Sequence, residues 1–189
     1  MAPEAVFGVP TLVEGDPDRV AVLLPGMGYV PARPLLHFAR GILVRRGWTV
    51  REVWWQPPAD PATDWEAWVM DQARSALDGV QARHVLLVGK SLGACAAPLA
   101  AERGLPAIWL TPLLGREGVV AALRRSQAPT LLVGGTADRS WDGELVRSLA
   151  HPYVEIPGAH HGLETDDPVE SVEMLKQVTA AMSRFVQEL

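Results

Sequence analysis

The chain has 189 residues, 48% of them hydrophobic and 21% charged, with a formal net charge of −5 and a single cysteine, Cys95. That length and composition fit one soluble domain, residues 1–189, with a core large enough to need no disulfide. A nucleic-acid partner is argued against, because phosphate binding needs a basic stripe. Pro or Gly interrupts every apolar stretch and the start, Met-Ala-Pro-Glu, is no signal peptide, so no membrane association is expected and a cytoplasmic location follows.

Residues 4–14 suit a short hairpin around Gly8 and Pro10, and Gly15-Asp16-Pro17-Asp18 reads as a turn. Arg19 to Leu24 is an apolar strand that runs into Pro25-Gly26-Met27-Gly28-Tyr29, a glycine-bracketed turn able to aim backbone amides outward. Pro31 to Arg46 carries Leu35, Leu36, Ala39, Ile42 and Leu43 at helical spacing, with Gly47 as a stop; His37 among them reads as a partly buried structural residue. Thr49 to Trp55 alternates as a strand, which would put Trp54 and Trp55 on opposite faces of a sheet, both read as core packing. Pro61 to Val80 contains a helix with Trp65, Trp68, Val69, Ala73 and Leu77 on one face and Asp64 as its N-cap.

Val85 to Val88 are four apolar residues too few for a helix, suited to a strand buried on both faces, and Gly89-Lys90-Ser91-Leu92-Gly93 follows as G-x-S-x-G. A sharp strand-to-helix turn of this kind holds its serine in strained backbone, and side chains two before or two after it would strike neighbouring backbone. Leu92 to Glu102, rich in Ala, suits the helix that follows, with a kink at Pro98 and with Cys95 as a small core residue. Leu105 to Leu110 and Thr130 to Val133 are further strands, with room between them for one short helix, Gly118 to Arg125. Gly134-Gly135-Thr136-Ala137-Asp138 then places an aspartate in a loop just after a strand. A helix from about Asp142 to Leu149, a strand at Tyr153 to Ile156, the loop Pro157-Gly158-Ala159-His160-His161-Gly162-Leu163 and a helix from about Pro168 to Val186 complete the chain. Strands alternating with helices predict an α/β fold, a mostly parallel central sheet with helices on both faces.

In such a sheet the loops at the carboxyl ends of the strands share one edge. The Met27 turn, Ser91, Asp138 and the two histidines all fall in loops of that kind and are expected to converge. A serine needs a base to take its proton, and the base needs a carboxylate to fix its tautomer. The order nucleophile, acid, histidine is that of the α/β-hydrolases.

On the Leu-Leu-Pro-Gly-Met-Gly turn, Gly-Lys-Ser-Leu-Gly, Gly-Gly-Thr-Ala-Asp and Pro-Gly-Ala-His-His-Gly-Leu, the chain from about Arg19 onward resembles the α/β-hydrolase superfamily. The resemblance implies Ser91 as nucleophile, Asp138 as acid and His161 as base, and the amides of Met27 and Leu92 as an oxyanion hole. Compact members commonly read Gly-Ala-Asp-His at the last motif, which aligns His161 with the base and His160 with the aspartate. Only about 15 residues follow Leu114 before the next strand, so a minimal member without a lid domain is implied. The expected function is cleavage of a small-molecule ester, or a thioester or amide, through an acyl-enzyme, with no cofactor and no metal. Tyr29, Leu113, Trp141 and Leu163 are expected to line the cleft beside Met27 and suit an apolar acyl or aryl group. Two further readings stay open: a binding or scaffold protein that keeps the fold without turnover, and a cofactor-free perhydrolase or haloperoxidase. Substrate identity and the choice between monomer and homo-oligomer are not legible.

Overall fold

Short runs of Val, Leu and Ile become the strands of one seven-stranded sheet in the computed structural model, which describes residues 5–6, 9–60 and 62–189. Ala5–Val6 (β1) and Val9–Pro10 (β2) pair antiparallel as a separate hairpin, whose expected apex at Gly8 lies outside the described residues. The sheet itself contains Leu12–Val13 (β3), Asp16–Leu24 (β4), Trp48–Glu52 (β5), His84–Lys90 (β6), Ala107–Leu110 (β7), Thr130–Gly135 (β8) and Tyr153–Ile156 (β9). Their order across it is β3, β5, β4, β6, β7, β8, β9; β3 is antiparallel to β5, and every other neighbouring pair is parallel.

Two apolar layers cover the sheet. On one face Ala21, Leu23, Leu86, Val88 and Ile108 pack against Pro34–Arg45 (α1) and Pro168–Gln187 (α6). On the other, Val22, Leu24, Leu87 and Trp109 meet Trp65–Ala76 (α2), Ala97–Arg103 (α3) and Glu117–Arg125 (α4). The alternation along β4 and β6 is the period of two that a strand covered on both sides requires. Asp64 caps α2 by accepting from the Glu66 and Ala67 amides, and Asp142 caps the short Gly143–Ser148 (α5) by accepting from Leu145. Among the described residues no helix is long and apolar enough to cross a membrane.

Four expectations change. Asp16 to Asp18 are not a free turn but the start of β4, where Asp16 pairs with Trp48 and the register slips before Val20 pairs with Thr49. β5 ends at Glu52, so Trp54 and Trp55 lie in the loop beyond the sheet rather than on its two faces. Pro98 does not kink a helix: Ser91–Ala96 is a 3-10 helix, and α3 begins at Ala97 with Pro98 in its first turn. A proline there sacrifices only an N–H that has no intrahelical acceptor. His37 is exposed on α1, its ring edge-on to Phe38 at 5.3 Å. The start expected for α2, Pro61, lies outside the described residues.

Candidate active site

The carboxyl ends of the parallel strands carry the site. β6 delivers Ser91, whose backbone takes φ of 51°, a left-handed conformation that costs a non-glycine residue of order 1–3 kcal/mol. The turn is tolerated because its flanks have no side chains: a Cβ on Gly89 would lie 2.6 Å from the Trp109 ring, and one on Gly93 would run into the Leu24 carbonyl oxygen. The serine hydroxyl is thus held out from a sheet end that cannot relax away.

β8 delivers Asp138 and β9 delivers His161. Gly135 lets the two loops touch, since a Cβ there would overlap the Ala159 carbonyl. Across that contact the Ala137 N–H donates to Ala159 at 3.0 Å, the Thr136 N–H to Ile156 at 3.0 Å, and the Gly158 N–H to the Thr136 hydroxyl at 2.8 Å. The result is that His161 Nδ1 stands 2.8 Å from Asp138 Oδ2 and His161 Nε2 stands 2.7 Å from Ser91 Oγ. A carboxylate only accepts, so Nδ1 donates to it and Nε2 is left to accept from the serine O–H.

Asp138 is 5% exposed, and its other oxygen accepts from the Ser140 N–H at 2.8 Å. Burial pushes its pKa up, but the His161 and Ser140 hydrogen bonds, with the charges of His161 and Lys90, outweigh that and hold it below its ordinary value. His160 points elsewhere. It is exposed, and its Nδ1 accepts from the Gly162 N–H at 2.9 Å.

Met27 and Gly28 form the tip of a tight turn closed by reciprocal hydrogen bonds between Gly26 and Tyr29, of 3.1 and 3.4 Å, in which the Met27 amide takes no part. The turn sits against the serine: a Cβ on Gly26 would be 3.3 Å from Ser91 Cβ. Leu92 is the second residue of the 3-10 helix, where backbone donors have no intrahelical partner.

Of the four residues expected in the cleft, two are buried in the core. Tyr29 is 8% exposed and Leu163 1%, both packed in the core, while Leu113 and Trp141 are partly buried, with Trp141 Nε1 donating to Glu155 at 2.7 Å. The groove bordering the Met27 turn is instead lined by Gly28, Val30, Pro31, Trp54, Trp55 and Pro57 and has a volume of about 230 Å3. Glu52 steadies this wall, accepting from Trp54 Nε1 at 2.9 Å and pairing with Arg40 at 3.2 Å. Sequence reasoning passed over Lys90 as well. It is 1% exposed, and burial, partly opposed by Asp138 and Glu164, brings its pKa down to about 8. Among the described residues, no group of three or more His, Cys, Asp and Glu side chains is arranged to hold a metal ion.

No family model matches the chain, and no curated protein matches it in sequence. Solved structures do match it. Est1E from Butyrivibrio proteoclasticus with ferulic acid bound aligns at a TM-score of 0.69 and 16% identity, over 94% of this chain and 93% of that one. An α/β serine hydrolase without a lid from Xanthomonas campestris aligns at 0.69 and 20%, over 94% and 87%. A monoacylglycerol lipase from Paleococcus ferrophilus aligns at 0.68 and 17%, over 92% and 97%. At such identities the likeness is one of fold: the chain has the α/β-hydrolase fold, and α4 alone fills the connection from Leu110 to Thr130 where a lid would stand.

Proposed function

We propose that the protein is a serine hydrolase that cleaves a small carboxylic ester through an acyl-enzyme. The observation that carries this reading is the unbroken relay from Ser91 Oγ through His161 to Asp138, two hydrogen bonds of 2.7 and 2.8 Å joining three loops far apart in sequence. Ser91 attacks the carbonyl carbon as His161 Nε2 takes its proton. Asp138 keeps Nδ1 protonated and stabilises the imidazolium, and the Met27 and Leu92 amides receive the negative oxygen. His161 then protonates the departing alcohol, and a water activated at the same nitrogen releases the acid.

In this reading the order of loops along the sheet edge supports one orientation of the substrate. The leaving oxygen must stay within reach of His161, on the β9 side. The acyl part is left with the groove on the β5 side, between the Met27 turn and Trp54–Pro57, whose apolar and aromatic lining suits an alkyl or aryl acyl group. A fluorophosphonate probe followed by hydrolysis of p-nitrophenyl esters tests the reading. Labelling at Ser91 and turnover that both vanish in Ser91→Ala, by about 10⁶-fold for the turnover, are expected. An intact protein that takes no label and turns over no ester of any acyl length refutes it.

A further inference from the structure

Lys90 sits inside the nucleophile turn with its side chain almost wholly out of water. Among the described residues no carboxylate comes within ion-pair distance of Nζ; the ammonium instead stands 5.0 Å from the centroid of the Tyr29 ring. A methionine or leucine would fill that space without a buried charge, so the structure retains the charge against its desolvation cost.

The ring it meets is a strut tied at three points. Its hydroxyl accepts from the Leu35 N–H at 3.1 Å, an otherwise unpaired donor in the first turn of α1. The Arg33 guanidinium lies 5.6 Å from the ring centroid, and the Tyr29 backbone closes the turn against Gly26. Gly26 in turn abuts both the Lys90 carbonyl and Ser91. Resting on the proposed hydrolase chemistry, we infer that Lys90 is a positioning residue: its ammonium, held on the Tyr29 ring, fixes the Met27–Gly28 turn at the distance from Ser91 that the oxyanion requires.

Lys90 makes no hydrogen bond to Ser91, His161 or Asp138; its charge reaches Asp138 only at a distance, and its ring contact is with Tyr29. The charged and titratable groups facing it are Asp138 from the loop after β8, Glu164 from the loop after β9, and Tyr29 and Arg33 from the loop before α1. Burial lifts Tyr29 to about 12 and lowers Lys90 to about 8, so mild alkali discharges the ammonium while the phenol stays neutral. A neutral amine has no attraction to the ring quadrupole, and the turn then loses its hold.

Lys90→Met, of similar length and uncharged, is the test on the full chain with a soluble p-nitrophenyl ester. At pH 7 kcat is expected to fall about 10- to 100-fold with KM little changed, as misplacement of a reacting group does. Wild-type kcat/KM is expected to decline above about pH 8; this limb should be absent in Lys90→Met and Tyr29→Leu and kept in Tyr29→Phe, which retains the ring. The double variant Lys90→Met/Tyr29→Leu should be no slower than the worse single one, because both remove one contact. Unchanged kcat in Lys90→Met, an alkaline limb that survives it, or additive losses would each overturn the inference. If the wild type hydrolyses no ester, the function fails and amide exchange still decides this point. Faster exchange in Lys90→Met confined to the amides this strut protects, Gly26, Tyr29 and Leu35, supports it, and unchanged exchange there overturns it.

Discussion

The same lysine should weaken the fold at neutral pH. Its pKa falls from an ordinary 10.5 to about 8 on folding, which at about 1.4 kcal/mol per pH unit is about 3 kcal/mol against the charged form. That balance already includes every favourable contact of the ammonium. Lys90→Met is therefore expected to stabilise the protein by about 3 kcal/mol at pH 7, or roughly 6–12 °C in Tm for a chain of this size. The sign of the pH dependence follows from the lowered folded value. Below about pH 8 both states bind the proton and the penalty is complete; between about 8 and 10.5 only the unfolded state holds it, so wild-type stability recovers as pH rises. Urea unfolding of both proteins at intervals from pH 6 to 10, with the same slope required of each, measures the gap directly. A variant less stable than wild type at pH 7, or a gap that stays constant to pH 10, would refute the reasoning.

Of the adjacent histidines, His161→Ala should lose about 10³-fold or more in kcat/KM, as loss of a triad member does, and His160→Ala only modestly; the opposite order would move the base. Asp138 is held below its ordinary 3.8 in the folded state, so the stability it confers is complete above that value and lost as pH falls through the folded one. The stability difference between wild type and Asp138→Ala should therefore shrink at acid pH, and acid titration of urea midpoints would expose a gap that does not. Gly135→Ala drives a methyl into the Ala159 carbonyl and should destabilise by about 1–3 kcal/mol while separating Asp138 from His161, detectable as lost fluorophosphonate labelling. With no lid to open, the rate on short-chain esters should show no jump as substrate passes its solubility limit, and such a jump would contradict the open cleft.

Strand and loop order was legible because the strands that carry the site, β4, β6, β8 and β9, end in or run into Gly or Pro after apolar residues, and that order alone fixes which loops share an edge. The convergence of Ser91, Asp138 and the two histidines followed from it, whereas the choice of His161 over His160 came from the resemblance. The cleft wall was not legible. Tyr29 and Leu163 are apolar residues in loops after strands, where sequence cannot tell a side chain lining a groove from one folded back; both turn inward, Tyr29 because its hydroxyl finds the Leu35 amide, and Leu163 into the layer beneath α1 and α6. Trp54 and Trp55 were misplaced for the converse reason. Their β-forming character continues the pattern of β5, but strand pairing stops at Glu52, whose carboxylate accepts from Trp54 and pairs with Arg40 where the chain leaves the sheet.

Lys90 marks a different boundary between pattern and structure. G-x-S-x-G constrains its glycines and serine and leaves the second position free, so the motif gives that residue no role. Periodicity carried a usable signal all the same: Leu86 and Val88 face the α1 and α6 layer, and a lysine two residues further on the same face of a strand buried on both sides must also point inward. What no local pattern supplies is the partner, because Tyr29 is 61 positions away and meets Lys90 only when β4 and β6 pair in parallel with Leu24 beside Gly89. The register that sets the Met27 turn beside Ser91 therefore also brings the aromatic face under the ammonium. A one-residue slip between these strands would undo both at once, since it would turn Lys90 to the opposite face of the sheet.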